Sequence, residues 1–212
     1  MKRSCYIFIF LILVMIIGFG IYYFMHRKTY SNSDFGINDI ESQIDFDNDG
    51  IDDYADIYNG ALNYIKTKPK YKSKYYAGGY PTDEYGVCTD VIWNAFMEAG
   101  YNLKDLIDTD INKNKEIYGI NKPDSNIDFR RVTNLNIFFK RYAEILTNDI
   151  TKIEEFHKGD IIVFEKHIAI ISEKRNKKGI PYIIHNSGNY KYIEDAISRY
   201  KVIGHYRWNK KT

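Results

Sequence analysis

Among the two cysteines and five histidines of this 212-residue protein, Cys88, His167 and His185 stand where covalent catalysis could use them. Cys88 lies in Gly86-Val87-Cys88-Thr89-Asp90-Val91-Ile92-Trp93-Asn94-Ala95-Phe96. From there Val91, Ile92, Ala95, Phe96 and Ala99 recur at helical spacing, and Gly100 supplies a stop. The thiol thus stands at a helix start, where the positive end of the backbone dipole predicts a lowered pKa and a reactive thiolate. Such a nucleophile needs a base, and the base needs a group that fixes its ring. His167 opens one β-branched run and His185 closes the next, with a turn-like stretch at 173–179 between them. If the turn is centred near Asn176, an antiparallel hairpin sets His167 directly opposite His185 or Asn186, on one face. The chemistry implied is acyl transfer. Cys88 attacks, His167 is general base and then acid, and His185 orients it, with Asn186 as the alternative orienter. Backbone N–H groups at the helix start are the oxyanion donors. The bland reading is an inert buried cysteine beside structural histidines.

The elements that must position these residues fall into two blocks. Residues 53–64 read as a helix, with Ile57, Leu62 and Ile65 on one face. The Cys88 helix follows a Lys-, Tyr-, Gly- and Pro-rich loop at 67–86. Thr133 caps a third helix with Leu135, Phe138, Phe139, Tyr142 and Leu146 inside, and 111–132 reads as irregular. Then Asp160–Phe164, His167–Ile171, Tyr182–Ile184 and Val202–Trp208 read as strands. Helices first and strands later predict an α+β domain spanning residues 53–210.

The strand series resembles that of the NlpC family of papain-like cysteine peptidases. The matching residues are Gly159-Asp160-Ile161-Ile162-Val163-Phe164, His167-Ile168-Ala169-Ile170-Ile171 and Ile183-Ile184-His185, with Cys88 at the helix start. More narrowly, the chain resembles the bacterial family called domain of unknown function 1287. That likeness rests on Gly86–Val91, Pro123–Val132, the His167 strand, His185-Asn186-Ser187-Gly188 and Gly204-His205-Tyr206-Arg207. The wider resemblance implies a papain-like fold and hydrolysis of an amide in a cell-wall (peptidoglycan) peptide. The narrow family implies no settled activity. Where the wider family has Ser-Gly after its cysteine, this chain has Thr89-Asp90, a departure that bears on the substrate.

Residues 1–28 predict a membrane anchor. From Tyr6 to Met25 no residue is charged, and about 20 apolar residues span a hydrocarbon core. Tyr22 and Tyr23 fall at an aromatic belt, with Lys2 and Arg3 on one side and Arg27 and Lys28 on the other. A cleaved signal peptide is the competing reading, because Gly18 and Gly20 are small. The short N-terminal side is most simply cytoplasmic, which makes this a single-pass protein of the cell membrane with the domain exported. Cys5 then cannot reach Cys88, and Cys88 is a free thiol in an oxidising compartment. Residues 29–43 read as a linker. The whole chain carries +2 and its first 28 residues +4, so residues 29–212 carry −2, which excludes a nucleic-acid binder with a basic stripe.

No cofactor is expected for catalysis, but Asp45-Phe46-Asp47-Asn48-Asp49-Gly50-Ile51-Asp52-Asp53-Tyr54-Ala55-Asp56 fits a structural Ca²⁺ loop over 44–56. Asp45, Asp47, Asp49, Asp53 and Asp56 occupy positions 1, 3, 5, 9 and 12, Ile51 offers its carbonyl at 7, and Gly50 makes the turn at 6. The alternative is an acidic turn capping the next helix. Tyr85, Asp90, Asn126, Asp128, Arg130 and Arg131 are candidate substrate-binding residues, the last four alternatively a surface ion-pair network. His205 reads as a core or cleft residue and His157 as a surface one. Three rivals remain open. One is a metal hydrolase built on His167, His185, His205 and Asp160, although no ligand-pair spacing supports it. The others are a non-catalytic wall-binding module and an acyltransferase using the same Cys–His pair.

Overall fold

The computed structural model describes the backbone of residues 2–25 and 29–209 and the side chains of 6–22 and 29–209. Helix α1 (Lys2–Met25) contains the long apolar run. Every described side chain on it, from Tyr6 to Tyr22, is exposed. Among the described residues no helix is long and apolar enough to cross a membrane. The side chains of Lys2, Arg3, Tyr23, Arg27 and Lys28, on which the predicted orientation and part of the belt depend, lie outside the described set.

The body is α+β. Helix α2 (Asp53–Lys66) starts at Asp52, whose carboxylate accepts from the Tyr54 N–H at 3.0 Å. The 67–86 segment is loop except for β1 (Lys70–Tyr71) and β2 (Tyr85–Gly86), which pair in parallel. Helix α3 (Cys88–Glu98) begins on the predicted cysteine and ends before Gly100. It packs closely on α2 because residue 60 is glycine: a Cβ there would stand 2.9 Å from the Ala95 Cα. Residues 101–132 hold more helix than expected. Helix α4 (Leu103–Lys113) is capped by Asn102, and a short α5 (Lys115–Tyr118) follows. Asp110 explains this order, since its buried carboxylate gathers Tyr118, Arg141 and Tyr142. Helix α6 runs Val132–Tyr142, one residue ahead of the predicted Thr133 cap and four short of Leu146.

Six strands form one antiparallel sheet: β3 (Glu144–Ile145), β4 (Ile161–Phe164), β5 (His167–Arg175), β6 (Pro181–Ile184), β7 (Ile193–Glu194) and β8 (Val202–Arg207). Their spatial order is β3-β8-β4-β5-β6-β7. Both faces are buried, which is why the strands read as apolar runs rather than alternating ones. Ile161, Val163, Ile168, Ile170 and Ile184 join the helices and Trp208 in the main core. Ile162, Phe164, Ala169, Ile171 and Ile183 pack under Phe156 and Ile197 on the other face.

The 29–43 segment is not a free linker. Tyr30 exchanges both backbone hydrogen bonds with Arg175 at the end of β5. The buried Arg175 guanidinium donates to Asn32 Oδ1 and to the carbonyls of Ile153, Gly179 and Phe156. A buried cation with its donors engaged by neighbouring oxygens is strong local glue. The composition of 29–43 gives no hint of it, because the partners are more than a hundred residues away.

Candidate active site

Cys88 is buried where the N-terminus of α3 meets the start of β5. Burial pushes the thiol up to about 11, and the Asp90 carboxylate adds to the rise. The amides of Ile168, Thr89 and Cys88 pull the other way without winning. The expected thiolate is therefore not the resting state: desolvation outweighs the helix terminus. The action of the Ile168 amide puts the sulfur beside the start of β5, on the face where Ile168 joins Cys88 in the main core; His167 stacks on Phe164 of the other face. No hydrogen bond joins Cys88 Sγ to His167 among the described residues.

The two histidines do meet. His167 Nε2 lies 2.8 Å from His185 Nδ1, the rings edge to face at 5.0 Å. The register differs from the one expected. Ile170 pairs with Ile184 and Ile171 with Ile183, so the ladder extrapolates His167 onto Ser187. His185 is its diagonal neighbour, two residues away on the same face and within reach of a ring. The shift arises from an irregularity between Ile171 and Arg175.

A residue that sequence reasoning missed completes the chain. Glu194 Oε2 lies 3.4 Å from His185 Nε2. Burial pushes Glu194 up, but Arg199, Asn189 and His185 together hold it below the usual carboxylate range. Arg199 Nη1 reaches its other oxygen at 2.5 Å, and Asn189 donates at 3.1 Å. His185 Nε2 is at ion-pair distance from Glu194 but makes no hydrogen bond among the described residues, and an accepting Glu194 favours the proton on that nitrogen. His185 Nδ1 must then accept from His167 Nε2–H. This leaves His167 Nδ1 as the basic nitrogen. Burial lowers His167 to about 4, helped by His185, so the imidazole is neutral at pH 7. Burial also lowers His185, against the pull of Glu194. The only sequence signal for Glu194 was the return of the chain after Asn186-Ser187-Gly188-Asn189, which makes β7 the next antiparallel neighbour of β6.

Asn186 is not an orienter. Its amide donates to the carbonyls of Pro69 and Gly86 and so ties the loop ahead of Cys88 to the sheet. A Cβ at residue 86 would meet the Tyr64 hydroxyl, so a larger residue there requires the Tyr64 side chain to move. Asp90 is fully buried and is not a substrate contact. It accepts from the Val87 N–H at 2.7 Å, capping α3, and from Trp93 Nε1 at 2.8 Å. Arg130 pairs with it through Nε at 2.7 Å and Nη2 at 2.8 Å, and lies over the Tyr76 ring. Thr89-Asp90 in place of Ser-Gly is thus a bracing feature. Asp128 is buried too and accepts from the Asp124 N–H, whereas Arg131 is exposed and sits 3.6 Å from it. Asn126 bridges the Gly78 N–H and the Tyr75 hydroxyl. Tyr85 is half-buried, its ring under Lys74 at 4.0 Å. None of these six residues lines the open cleft of about 460 Å³ beside His167, whose walls are Phe164, Glu165, Lys166, Arg199, Tyr200 and Lys201. His205 is core, and His157 is buried rather than on the surface.

The acidic loop is a second centre. Carboxylate oxygens of Asp45, Asp47 and Asp49 approach within 4.8 Å of one another. Asp53 is turned to the Phe46 N–H at 2.9 Å and the Tyr101 hydroxyl at 2.6 Å. Asp56 is buried, and its Oδ2 has no hydrogen-bond partner.

The fold and the site define an α+β protein with a buried cysteine next to a His–His–carboxylate chain. The family described as Domain of unknown function (DUF1287) matches residues 58–208, and the chain belongs to that family. It is 34% identical over 150 residues to the Uncharacterized protein YijF of Escherichia coli (strain K12), across 66% of this chain and 72% of that one. No solved structure matches the chain. The matched stretch holds Cys88, His167, His185 and Glu194; the acidic loop precedes it.

Proposed function

We propose that the chain is a membrane-anchored, extracytoplasmic cysteine hydrolase cleaving an amide bond in cell-wall peptides, on a papain-like fold of the NlpC type. The observation that carries this reading is the Glu194–His185–His167 series, which ends at the start of the strand whose next residue, Ile168, acts on the Cys88 sulfur through its amide. The cysteine and its base are neutral at rest. The Cys88 proton moves to His167 Nδ1 as sulfur attacks the acyl carbon, and the imidazolium is stabilised through His185 by Glu194. The N–H groups of Cys88 and Thr89 face the developing oxyanion. His167 then protonates the leaving amine, the C–N bond breaks, and water releases the acyl group from sulfur by the reverse proton path. The exposed apolar side chains Tyr6–Tyr22 support the anchor.

One observation favours a second reading, a wall-binding module without turnover: Cys88 is buried and its thiol protonated. The rate of Cys88 alkylation against pH, in the full chain in detergent with and without His167→Ala, separates the two. Slowing in the variant at neutral pH supports the hydrolase. A rate indifferent to His167 makes Cys88 a structural cysteine and the binding module the better account. Replacement of His185 is expected to cost less than replacement of His167, and the reverse order would exchange their roles.

A further inference from the structure

The acidic loop lies at the far end of α3 from Cys88, and nothing in the proposed hydrolysis uses it. We infer that Asp45, Asp47, Asp49 and Asp56, with the Ile51 carbonyl, bind one divalent cation, calcium by the hardness of an all-oxygen donor set. Two independent observations support this. First, three carboxylates converge within 4.8 Å at loop positions 1, 3 and 5. Second, the carboxylate at position 12 is 2% exposed, and its Oδ2 is left without a partner although the Asp47, Asp49 and Asp53 charges all bear on it. Leaving a buried carboxylate oxygen unpaired beside like charges is costly unless a cation joins them. Among the described residues no Lys or Arg pairs with any of the four ligands; the nine ion pairs all lie elsewhere. Asp53, at position 9, is turned away from the three converging carboxylates, toward the Phe46 N–H and the Tyr101 hydroxyl.

The loop is seated on the C-terminal end of α3. Phe46 stacks on Tyr101 at 4.1 Å, and Asp47 packs where a side chain at Gly100 would go. The cation therefore fastens the chain ahead of α2 to the helix that begins with Cys88, and its effect is on stability rather than on the chemistry.

The test is titration of the full chain with calcium ions alone, by calorimetry and by thermal melting, with tyrosine-sensitised terbium luminescence as a second probe. One cation per chain is expected, with a Kd of about 10⁻⁴ M in the range of extracellular modules. At a hundredfold excess over Kd the Tm should rise by about 5–10 °C. Asp49→Asn should lose the heat and the luminescence. Asp56→Asn keeps the shape but removes the buried charge: it should lose the calcium response while melting no lower than the metal-free native chain. No heat and no luminescence at millimolar metal would overturn the inference. Binding that survives both substitutions would overturn it equally, since the cation would then sit elsewhere.

Discussion

Two histidine–carboxylate–arginine clusters occupy the same sheet, and they differ in how they end. In one, His205 Nε2 meets Asp160 at 3.1 Å, Arg207 grips the same carboxylate through two nitrogens at 2.8 Å, and His205 Nδ1 meets the Thr147 carbonyl at 2.8 Å. Both ring nitrogens are taken, and the ring is wholly buried under Phe156. In the other, Arg199 pairs with Glu194, Glu194 lies 3.4 Å from His185, His185 meets His167, and the series stops at a histidine that opens on a cleft. The residue types are alike, but one cluster is closed on itself and the other, with a second histidine, has an end. A closed cluster can only stabilise; one with an end can pass a proton on. Type and spacing alone therefore do not separate a catalytic histidine from a structural one.

Substitutions should pull the two clusters apart. Cys88→Ala is expected to remove turnover of wall peptides by about 10⁵-fold with the fold intact, read by fragment release and circular dichroism; unchanged release would end the hydrolase reading. His167→Ala should cost about 10²–10⁴-fold, the usual worth of a general base. Glu194→Gln should cost about 10²-fold, because the amide can donate to His185 Nε2 and invert the tautomer of the series. A kinetically silent Glu194→Gln would reduce that carboxylate to packing. His205→Ala, by contrast, should leave turnover per folded molecule unchanged and cost about 2–4 kcal/mol in denaturant melts, through a cavity and an unpartnered Asp160. The smallest effect is with pH. His167 is lowered to about 4 in the folded chain, against about 6.5 unfolded, so below pH 6.5 the unfolded state binds the extra proton. Stability is then complete above pH 6.5 and falls toward pH 4 by on the order of 2 kcal/mol, and His167→Ala should flatten that slope.

Much of this was legible because it is local. The α3 start at Cys88, the main strands and the meeting of His167 with His185 follow from periodicity and a short turn. The convergence of Asp45, Asp47 and Asp49 is equally local, since five consecutive residues carry it. What escaped was what lies far apart in sequence. The Asp90–Arg130 brace joins residues 40 apart, and the Asn186–Gly86 tie joins residues 100 apart. A charged residue in the sequence could serve either water or a distant partner, so Asp90 and Arg130 read as substrate contacts. Glu194 escaped because it sits on a two-residue strand, too short to show alternation. The thiol was misjudged because helix position is visible in sequence and depth of burial is not.

The docking of Tyr30 onto Arg175 has a mechanical consequence. The two residues exchange both backbone hydrogen bonds, so any pull transmitted through residue 29 enters the domain at the far end of the strand that begins with His167. The Arg175 guanidinium shares that load with the Ile153, Phe156 and Gly179 carbonyls, so it is spread over two other segments before it can reach the histidines. If the proposed anchor holds residue 29 to a moving surface, this is strain relief: the chain can be tugged there while β5 holds its register.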